Sequence, residues 1–477
     1  MDGFRFRCYP TEDQAQILRQ WIGCQRFIYN AKVGEDRYFR RFAASALALT
    51  GTPIPIDQTY AQFKTDLTPF LADVPAVVLR NGAVRWKQAY QRFFKGLGGR
   101  PTIKTRHGRQ SVWLTRELFA FEPIEAAPGH YRLLIGCGKF PVGKLAFTAH
   151  RAFEPPASLH ISLDAGRWHV SFSNETATET PSETAIAERL QRLPIDQLQA
   201  ATVGLDRGVA TPVMTSDGQR LVASPAQQQR LAQKERRRKR WQRKLARRRQ
   251  GGQNHAKARA QVARTYRYAS DVRRDLAHKA TRVLVDDPRY QVYALEALRV
   301  QSMTRRATPK PDPERPGHYL PNNAKAKSGL NRSILASGWG QFKTILHYKA
   351  ARAGKLVVEV PPAYSSQECA RCGHIHPDNR PSQARFVCQA CAHHAHADHN
   401  AAQVIAARGA RLVADGQVVE KPKKRCALKR TTVGPGEAEP AGLIPQTPVE
   451  NALRRGRGNT TAPRSTKQEP RATSQRL

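Results

Sequence analysis

Thr202-Val-Gly-Leu-Asp206 is a short apolar run closed by a carboxylate. A run this apolar, without polar alternation, reads as a buried strand, and such strands belong to sheets covered on both faces. The form recurs. Tyr290-Gln-Val-Tyr-Ala-Leu295 ends in Glu296, and Lys355-Leu-Val-Val-Glu-Val360 follows a helical stretch from Ser333 to Ala353. Asp398 stands just before Asn400-Ala-Ala-Gln-Val-Ile-Ala-Ala-Arg408, which reads as a helix. The order is strand, hairpin, helices, strand, Glu, helix, strand, Asp. It predicts an α/β unit whose carboxylates sit at strand ends, where such sheets place their ligands.

Asp206, Glu296 and Asp398 are therefore candidate catalytic acids. Taken singly, each is as readily a cap or a surface residue. Gathered together, three carboxylates repel unless cations sit between them. Two Mg2+ ions roughly 3.5–4 Å apart would relieve that repulsion and clamp a phosphodiester for in-line attack by water. The sharpest local signal is Cys369-x2-Cys372 and Cys388-x2-Cys391, with fifteen residues between the pairs. Each pair puts two thiolates on one tight knuckle, and two knuckles complete a tetrahedral S4 zinc shell with no open position, hence a structural one. His393, His394, His396 and His399 read as solvated or phosphate-facing side chains beside a shell already full. Only six residues separate Cys391 from Asp398. Cys8, Cys24, Cys137 and Cys426 are scattered, which suits a reducing compartment rather than a disulfide framework.

Outward from this unit the pattern changes. Phe4-Arg-Phe-Arg-Cys-Tyr9 alternates like a strand, Thr11 and Gln14 form a capping-box pair, and residues 10–99 read as mostly helical. Residues 100–190 carry strand-like runs, including a hairpin around Asp164-Ala-Gly166, and suggest a small antiparallel barrel or sheet that the first strand joins. Residues 174–187 read as a linker, 209–222 as a second hairpin around Ser216-Asp-Gly218, and 413–477 as a disordered basic tail.

The 477 residues carry 79 Lys+Arg against 38 Asp+Glu, a formal net charge of +41. Such a charge works against compaction unless a polyanion, most commonly nucleic acid, neutralises it. The charge is clustered. Between Arg230 and Arg249, 12 of 20 residues are Lys or Arg. With 227–285 read as a helical hairpin, this limb offers Arg236, Arg237, Arg238, Lys239, Arg240, Arg243, Lys244, Arg247, Arg248 and Arg249 as a phosphate-tracking surface. Trp241 and Tyr266 could stack on bases, with core packing the favoured role for Tyr266. No apolar stretch approaches the roughly 18 residues of a membrane span and Met1–Tyr9 lack a signal core, so a cytoplasmic, prokaryotic protein is expected, nucleoid-associated when on DNA.

Val203-Gly-Leu-Asp206-Arg-Gly208, Leu295-Glu296-Ala-Leu298 and Ala397-Asp398-His-Asn400-Ala-Ala402 resemble the three RuvC motifs of the TnpB (OrfB) family. These are transposon-encoded, RNA-guided nucleases related to the type V CRISPR effectors. Lys327-Ser-Gly-Leu-Asn-Arg-Ser-Ile-Leu335, Gly338-Trp339, Tyr364-Ser-Ser-Gln-Glu-Cys369-Ala-Arg-Cys372-Gly373, Tyr9-Pro10-Thr11 and Ala89-Tyr-Gln-Arg-Phe-Phe94 also resemble stretches of that family, so the likeness spans about 1–412. It implies a bilobed protein, α/β with β-barrel and helical parts. A wedge-like barrel would take 1–9 and 100–190, and an inserted helical recognition unit 10–99. A RuvC/ribonuclease H-like nuclease would take 196–366 and 397–412, with a zinc-ribbon insert at 367–396. It further implies a guide RNA from the transposon end, a motif read beside the target, and double-stranded DNA cleavage. The alternatives are a transposase proper, or a regulator that binds DNA on the same scaffold without cutting. The Arg-rich arm and tail exceed the family's pattern.

Overall fold

The computed structural model describes residues 2–43, 56–124, 129–175, 180–315 and 317–418. Strand β1 (Asp2–Tyr9) leads through a capping box, with Thr11 accepting from Gln14 N and the Gln14 side chain accepting in return from Thr11 N, into helix α1 (Glu12–Tyr38). Helix α2 (Ala76–Phe94) precedes β2 (Gln110–Thr115), β3 (Phe119–Pro123), β4 (His130–Cys137), β5 (Phe140–Thr148), β6 (Ser158–Asp164) and β7 (Arg167–Asn174). The seven strands form one antiparallel sheet in the order β2-β6-β7-β1-β5-β4-β3. The first strand thus lies mid-sheet, between partners more than a hundred residues away. No pairing of β2 with β3 occurs among the described residues, so of the two forms expected, barrel or sheet, the pairing gives a sheet with open edges.

Apolar alternation drives this assembly. Phe4 and Phe6 of β1 meet Phe172 and Phe147 on the flanking strands, at ring separations of 5.2 and 5.7 Å. Helices α1 and α2 add Leu18, Trp21, Ile28, Val78 and Leu79 to the same core. At Gly82 a side chain would stand 2.7 Å from the Gln25 carbonyl, so the glycine sets how closely the two helices approach. The β6–β7 turn uses Ala165 and Gly166 at φ 50° and 80°, the left-handed pair that a two-residue hairpin requires.

The second half begins with α3 (Glu183–Gln191) and α4 (Ile195–Ala200), followed by β8 (Thr202–Asp206) and the short β9 (Met214–Thr215). Two long helices, α5 (Pro225–Ala246) and α6 (Gln253–Asp286), form the expected hairpin and return the chain to β10 (Val292–Glu296). After α7 (Val300–Met303), the small ribbon β11 (Lys310–Pro311) and β12 (Tyr319–Leu320) leads to α8 (Ala324–Ser337), α9 (Trp339–Arg352) and β13 (Leu356–Val360). The chain then enters β14 (Arg385–Val387), β15 (His394–His396) and α10 (Ala397–Ala414). The sheet order is β13-β10-β8-β9, with β13, β10 and β8 parallel and β9 antiparallel. Alternate residues serve two cores. Val203, Leu205, Tyr293 and Leu295 pack against α6 and α9, whereas Val292, Ala294, Val358 and Val360 pack against α3, α4 and α10.

Three expectations need correction, and a fourth is met. Residues 183–190, read partly as linker and placed with the first unit, form α3, which buries Ile186 and Leu190 on the second sheet. The single helix expected from Ser333 to Ala353 is two helices, broken at Gly338 with φ 75°. The hairpin around Ser216-Asp-Gly218 does form: Thr215 N donates to the Gln219 carbonyl at 3.0 Å, Met214 bridges Arg220 and Leu221 N donates to the Val213 carbonyl at 2.9 Å, with β9 as its regular strand. Residues 413–418, assigned to the tail, continue or follow α10, and Val413 is buried. The rest of that tail, with Cys426, lies outside the described residues.

Candidate functional site

Parallel strands aim their C-terminal ends the same way, so Asp206 and Glu296, the last residues of β8 and β10, emerge side by side. Asp398, the second residue of α10, completes the group because α10 packs directly on β8. That packing depends on small residues. A side chain at Gly204 would fall on the Ala402 carbonyl and within 2.5 Å of Ala406 N. The Asp206 carboxyl is pushed up to about 7, first by burial and then by the charges of Glu296 and Asp398, against the opposing pull of Arg380. Glu296 is buried and accepts a 2.5 Å hydrogen bond from Ser365 Oγ. Arg207 is buried behind it and donates to the Glu296 backbone carbonyl. Trp339 Nε1 donates to the Gly208 carbonyl at 3.1 Å and steadies the loop that follows Asp206. The three acids are spaced more widely than a single tight ligand set. Among the described residues, the ligand atoms gathered within 4.8 Å of one another are the four thiols.

Those thiols sit on two knuckles built alike. Gly373 N donates to the Cys369 carbonyl at 2.9 Å, and Ala392 N to the Cys388 carbonyl at 3.1 Å. Both closing residues are left-handed, at φ 74° and 55°. The sulfurs of Cys369 and Cys391 are 3.7 Å apart, and those of Cys372 and Cys388 3.5 Å. A zinc with bonds of about 2.3 Å makes a tetrahedron with edges of about 3.8 Å, so the set fits that ion and can hold it. Asn379 ties the knuckles together, donating to the carbonyls of Gln367 and His374 and accepting from Gln389 N at 2.8 Å.

The knuckle is also bolted to the acid-bearing helix. Asn400, two residues after Asp398, donates to the Glu368 carbonyl at 2.7 Å and accepts from Ala370 N at 3.0 Å. Arg408, further along α10, pairs with the Glu368 carboxylate. From the insert, Arg380 reaches back to within 3.5 Å of Asp398 Oδ1. The histidines divide. His396 Nδ1 caps α10 by accepting from Asp398 N at 3.3 Å, and His399 Nε2 lies 3.0 Å from the Ser216 carbonyl. His394 is exposed, and His393 packs near Phe386. None of the four joins the sulfur cluster.

Helix α5 buries no residue, leaving its basic side chains at the surface. Arg238 stacks on the Tyr266 ring at 4.7 Å and Lys244 on Trp241 at 5.0 Å. Tyr266 is half-exposed and donates nothing to a core, contrary to its expected packing role. A second basic feature was missed. A groove of 1350 Å3 runs between the first sheet and helices α6 and α9, lined by Arg5, Arg151, Arg274, Lys279, Arg282 and Lys349 with no carboxylate. A second, of 1110 Å3, carries Arg106, Arg109, Arg259, Arg264 and Arg267. The signal was present in α6, whose cations recur along its length, but its amphipathic apolar spacing masked them.

Three family descriptions match in chain order. The family described as "Probable transposase" (OrfB_IS605) matches 182–307, its "Helix-turn-helix domain" companion 1–33, and the "Cas12f1-like, TNB domain" 339–405. In this chain, residues 1–33 are β1 and most of α1. A protein of Escherichia coli (strain K12), provisionally named RNA-guided DNA endonuclease InsQ, is 29% identical over 88% of this chain and 95% of its own. A protein of Streptomyces pristinaespiralis, provisionally named RNA-guided DNA endonuclease, is 27% identical over 90% and 94%. Among solved structures, a Cas12f1–sgRNA–target DNA complex is 14% identical, covers 82% of each chain, and has a TM-score of 0.47. Fold and site define a mixed α/β protein with a four-cysteine metal-type knuckle. The chain is similar to the OrfB_IS605 transposase family and the Cas12f1-like TNB domain over the matched segments, and to the two relatives over most of its length. No helix among the described residues is long and apolar enough to cross a membrane.

Proposed function

We propose that the chain is an RNA-guided DNA endonuclease of a transposable element, cutting target DNA at a RuvC/ribonuclease H-like site made by Asp206, Glu296 and Asp398. The observation that carries this reading is the convergence of three acids from distant segments, with Glu296 and Asp398 both bearing on the half-buried carboxyl of Asp206. Three crowded carboxylates that Arg380 offsets only in part are unfavourable, and they suit a site built for divalent cations. Magnesium bound there would activate a water and stabilise the leaving 3′ oxygen of a phosphodiester. The protein's own part is to hold the acids. Ser365 and Arg207 fix Glu296, and Asn400 and His396 fix the start of α10. Arg380 offers a guanidinium beside the acids, where a phosphate would come. The four cysteines hold a structural zinc, and the basic surfaces of α5 and α6 track the backbones of guide RNA and target DNA. Such contacts set affinity, while sequence choice falls to base pairing.

The test is to purify the protein with its copurifying RNA, sequence that RNA, and challenge the complex with matched duplex DNA and Mg2+. Cleavage that Asp206→Ala abolishes supports the reading. RNA binding without cleavage, across targets with randomised flanks, would favour a DNA-binding regulator on the same scaffold.

A further inference from the structure

A cavity of 160 Å3 lies in the seam where α1 and α2 meet the loop leading into β2. One water needs only about 10–15 Å3 on the same measure, so the space admits a larger guest. Arg26, Tyr29, Arg85, Lys104, Thr105 and Arg109 line it, and no carboxylate does. The Lys104 ammonium sits 3.3 Å from the centre of the Tyr29 ring. Arg85 is lowered from its ordinary range by burial and then by Arg109. Lys104 is pushed down to about 7 by burial, then by Arg85 and Arg109. His160 on β6 feels the same three cations, and its Nδ1 is buried without a hydrogen-bond partner.

Buried cations are costly unless matched. Elsewhere on the same helix this chain matches one: Lys32 is fully buried and paired with both Glu35 and Asp57. At the seam, Arg26, Arg85, Lys104 and Arg109 line a space of anion size without an acid, the first three partly buried and Arg109 exposed at the rim. We infer that this cavity binds one phosphate group, held by Arg85, Lys104 and Arg109 with the Thr105 hydroxyl beside them. The group is either free phosphate or one phosphodiester of a nucleic-acid backbone, and its binding does not turn on whether the acids cut.

The experiment uses the full chain freed of nucleic acid. Inorganic phosphate is titrated against chloride at constant ionic strength, with the thermal midpoint as readout. The wild-type midpoint should rise with phosphate. Lys104→Gln and Arg85→Gln should lose that rise, while Arg19→Gln, at an exposed arginine of α1 paired with Glu12, keeps it. In phosphate-free buffer Lys104→Gln should melt no lower than wild type, because an unmatched charge has been removed, so loss of the site is separated from loss of the fold. A second arm measures the salt dependence of binding to duplex DNA and to single-stranded RNA. A slope reduced by about one in Lys104→Gln assigns the pocket to a backbone phosphate of that polymer, and an unchanged slope with a lost phosphate response assigns it to the free ion. Equal phosphate stabilisation of wild type and Lys104→Gln would overturn the inference. So would a wild type indifferent to phosphate whose salt slopes Lys104→Gln leaves unchanged.

Discussion

Arg380, carried by the cysteine-bearing insert, lies 3.5 Å from the carboxylate of Asp398 on α10. It is also the cation that draws Asp206 back toward its charged form. Without metal, this guanidinium is a counter-charge for a cluster of acids. Arg380→Ala should therefore lower the thermal midpoint more in chelator than in Mg2+, by an amount equivalent to about 1 kcal/mol, the scale of a partly exposed pair. Equal losses in the two buffers would mean that Arg380 does not offset the acids.

Asp206→Asn keeps the shape of the site and removes one of three crowded charges. DNA cleavage should fall by at least a hundredfold, while the metal-free protein becomes more stable, by about 1–2 kcal/mol. The sign follows from burial and like charge, the two largest causes that raise this carboxyl. Paired denaturant melts in chelator test it. A variant less stable than wild type would show that Asp206 is compensated in the native state, and undiminished cutting would remove it from the active site.

Two histidines, His169 buried and His160 partly so, give a pH dependence with a definite sign. His160 and His169 are each pushed down to about 4, by burial first and then by nearby cations. Arg85, Arg109 and Lys104 face His160; Arg5 and Arg267 face His169, with Asp164 opposing. Unfolded, both would titrate near 6.5. Between about 6.5 and 4 the unfolded chain binds the more protons, so their contribution is present above that window and is lost as pH falls through it. His160→Gln/His169→Gln should flatten stability against pH across this range. An unchanged slope would assign the acid sensitivity to other groups.

Gly204 tests how the acids are brought together. Its missing side chain lets α10 lie on β8, and a methyl group there would fall on backbone rather than on a movable side-chain end. Gly204→Ala should destabilise by about 1–3 kcal/mol or more, as overpacking against a fixed wall does. It should also impair cleavage, because the start of α10 must lift and take Asp398 with it. A variant as stable and active as wild type would show that the helix can slide without loss.

What could be read from the chain in advance divides along physical lines. The cysteine pairs and strand-end acids were legible because a CxxC knuckle and a wholly apolar strand are local patterns. Helix α3 was not, since it offers only Ile186 and Leu190 as buried apolar anchors amid polar residues. The break at Gly338 was hidden by apolar periodicity that continues on both sides of it. Arg380 is a single arginine in an irregular loop, and nothing local marks its reach to Asp398. The seam cations at 85, 104 and 109 come from a helix and a loop that only the fold brings together.

The last prediction concerns the knuckle itself. Asn400 and Arg408 both hold Glu368, next to Cys369, so the insert and α10 share one hydrogen-bonded joint. The protein should carry about one zinc per chain. Cys388→Ser should release it, since three thiolates and a hydroxyl make a poorer shell. Limited proteolysis should then open the chain between 364 and 396, and cleavage should fail because Asp398 and Arg380 lose their anchor. The first sheet shares no core with the insert, so its resistance to proteolysis should persist. Asn400→Ala separates the two roles. It leaves all four thiols in place, so zinc content should stay near one while cleavage drops. Loss of zinc from Asn400→Ala would show that the joint supports the metal shell as well as the acid, and full activity would show that Asp398 is positioned without it.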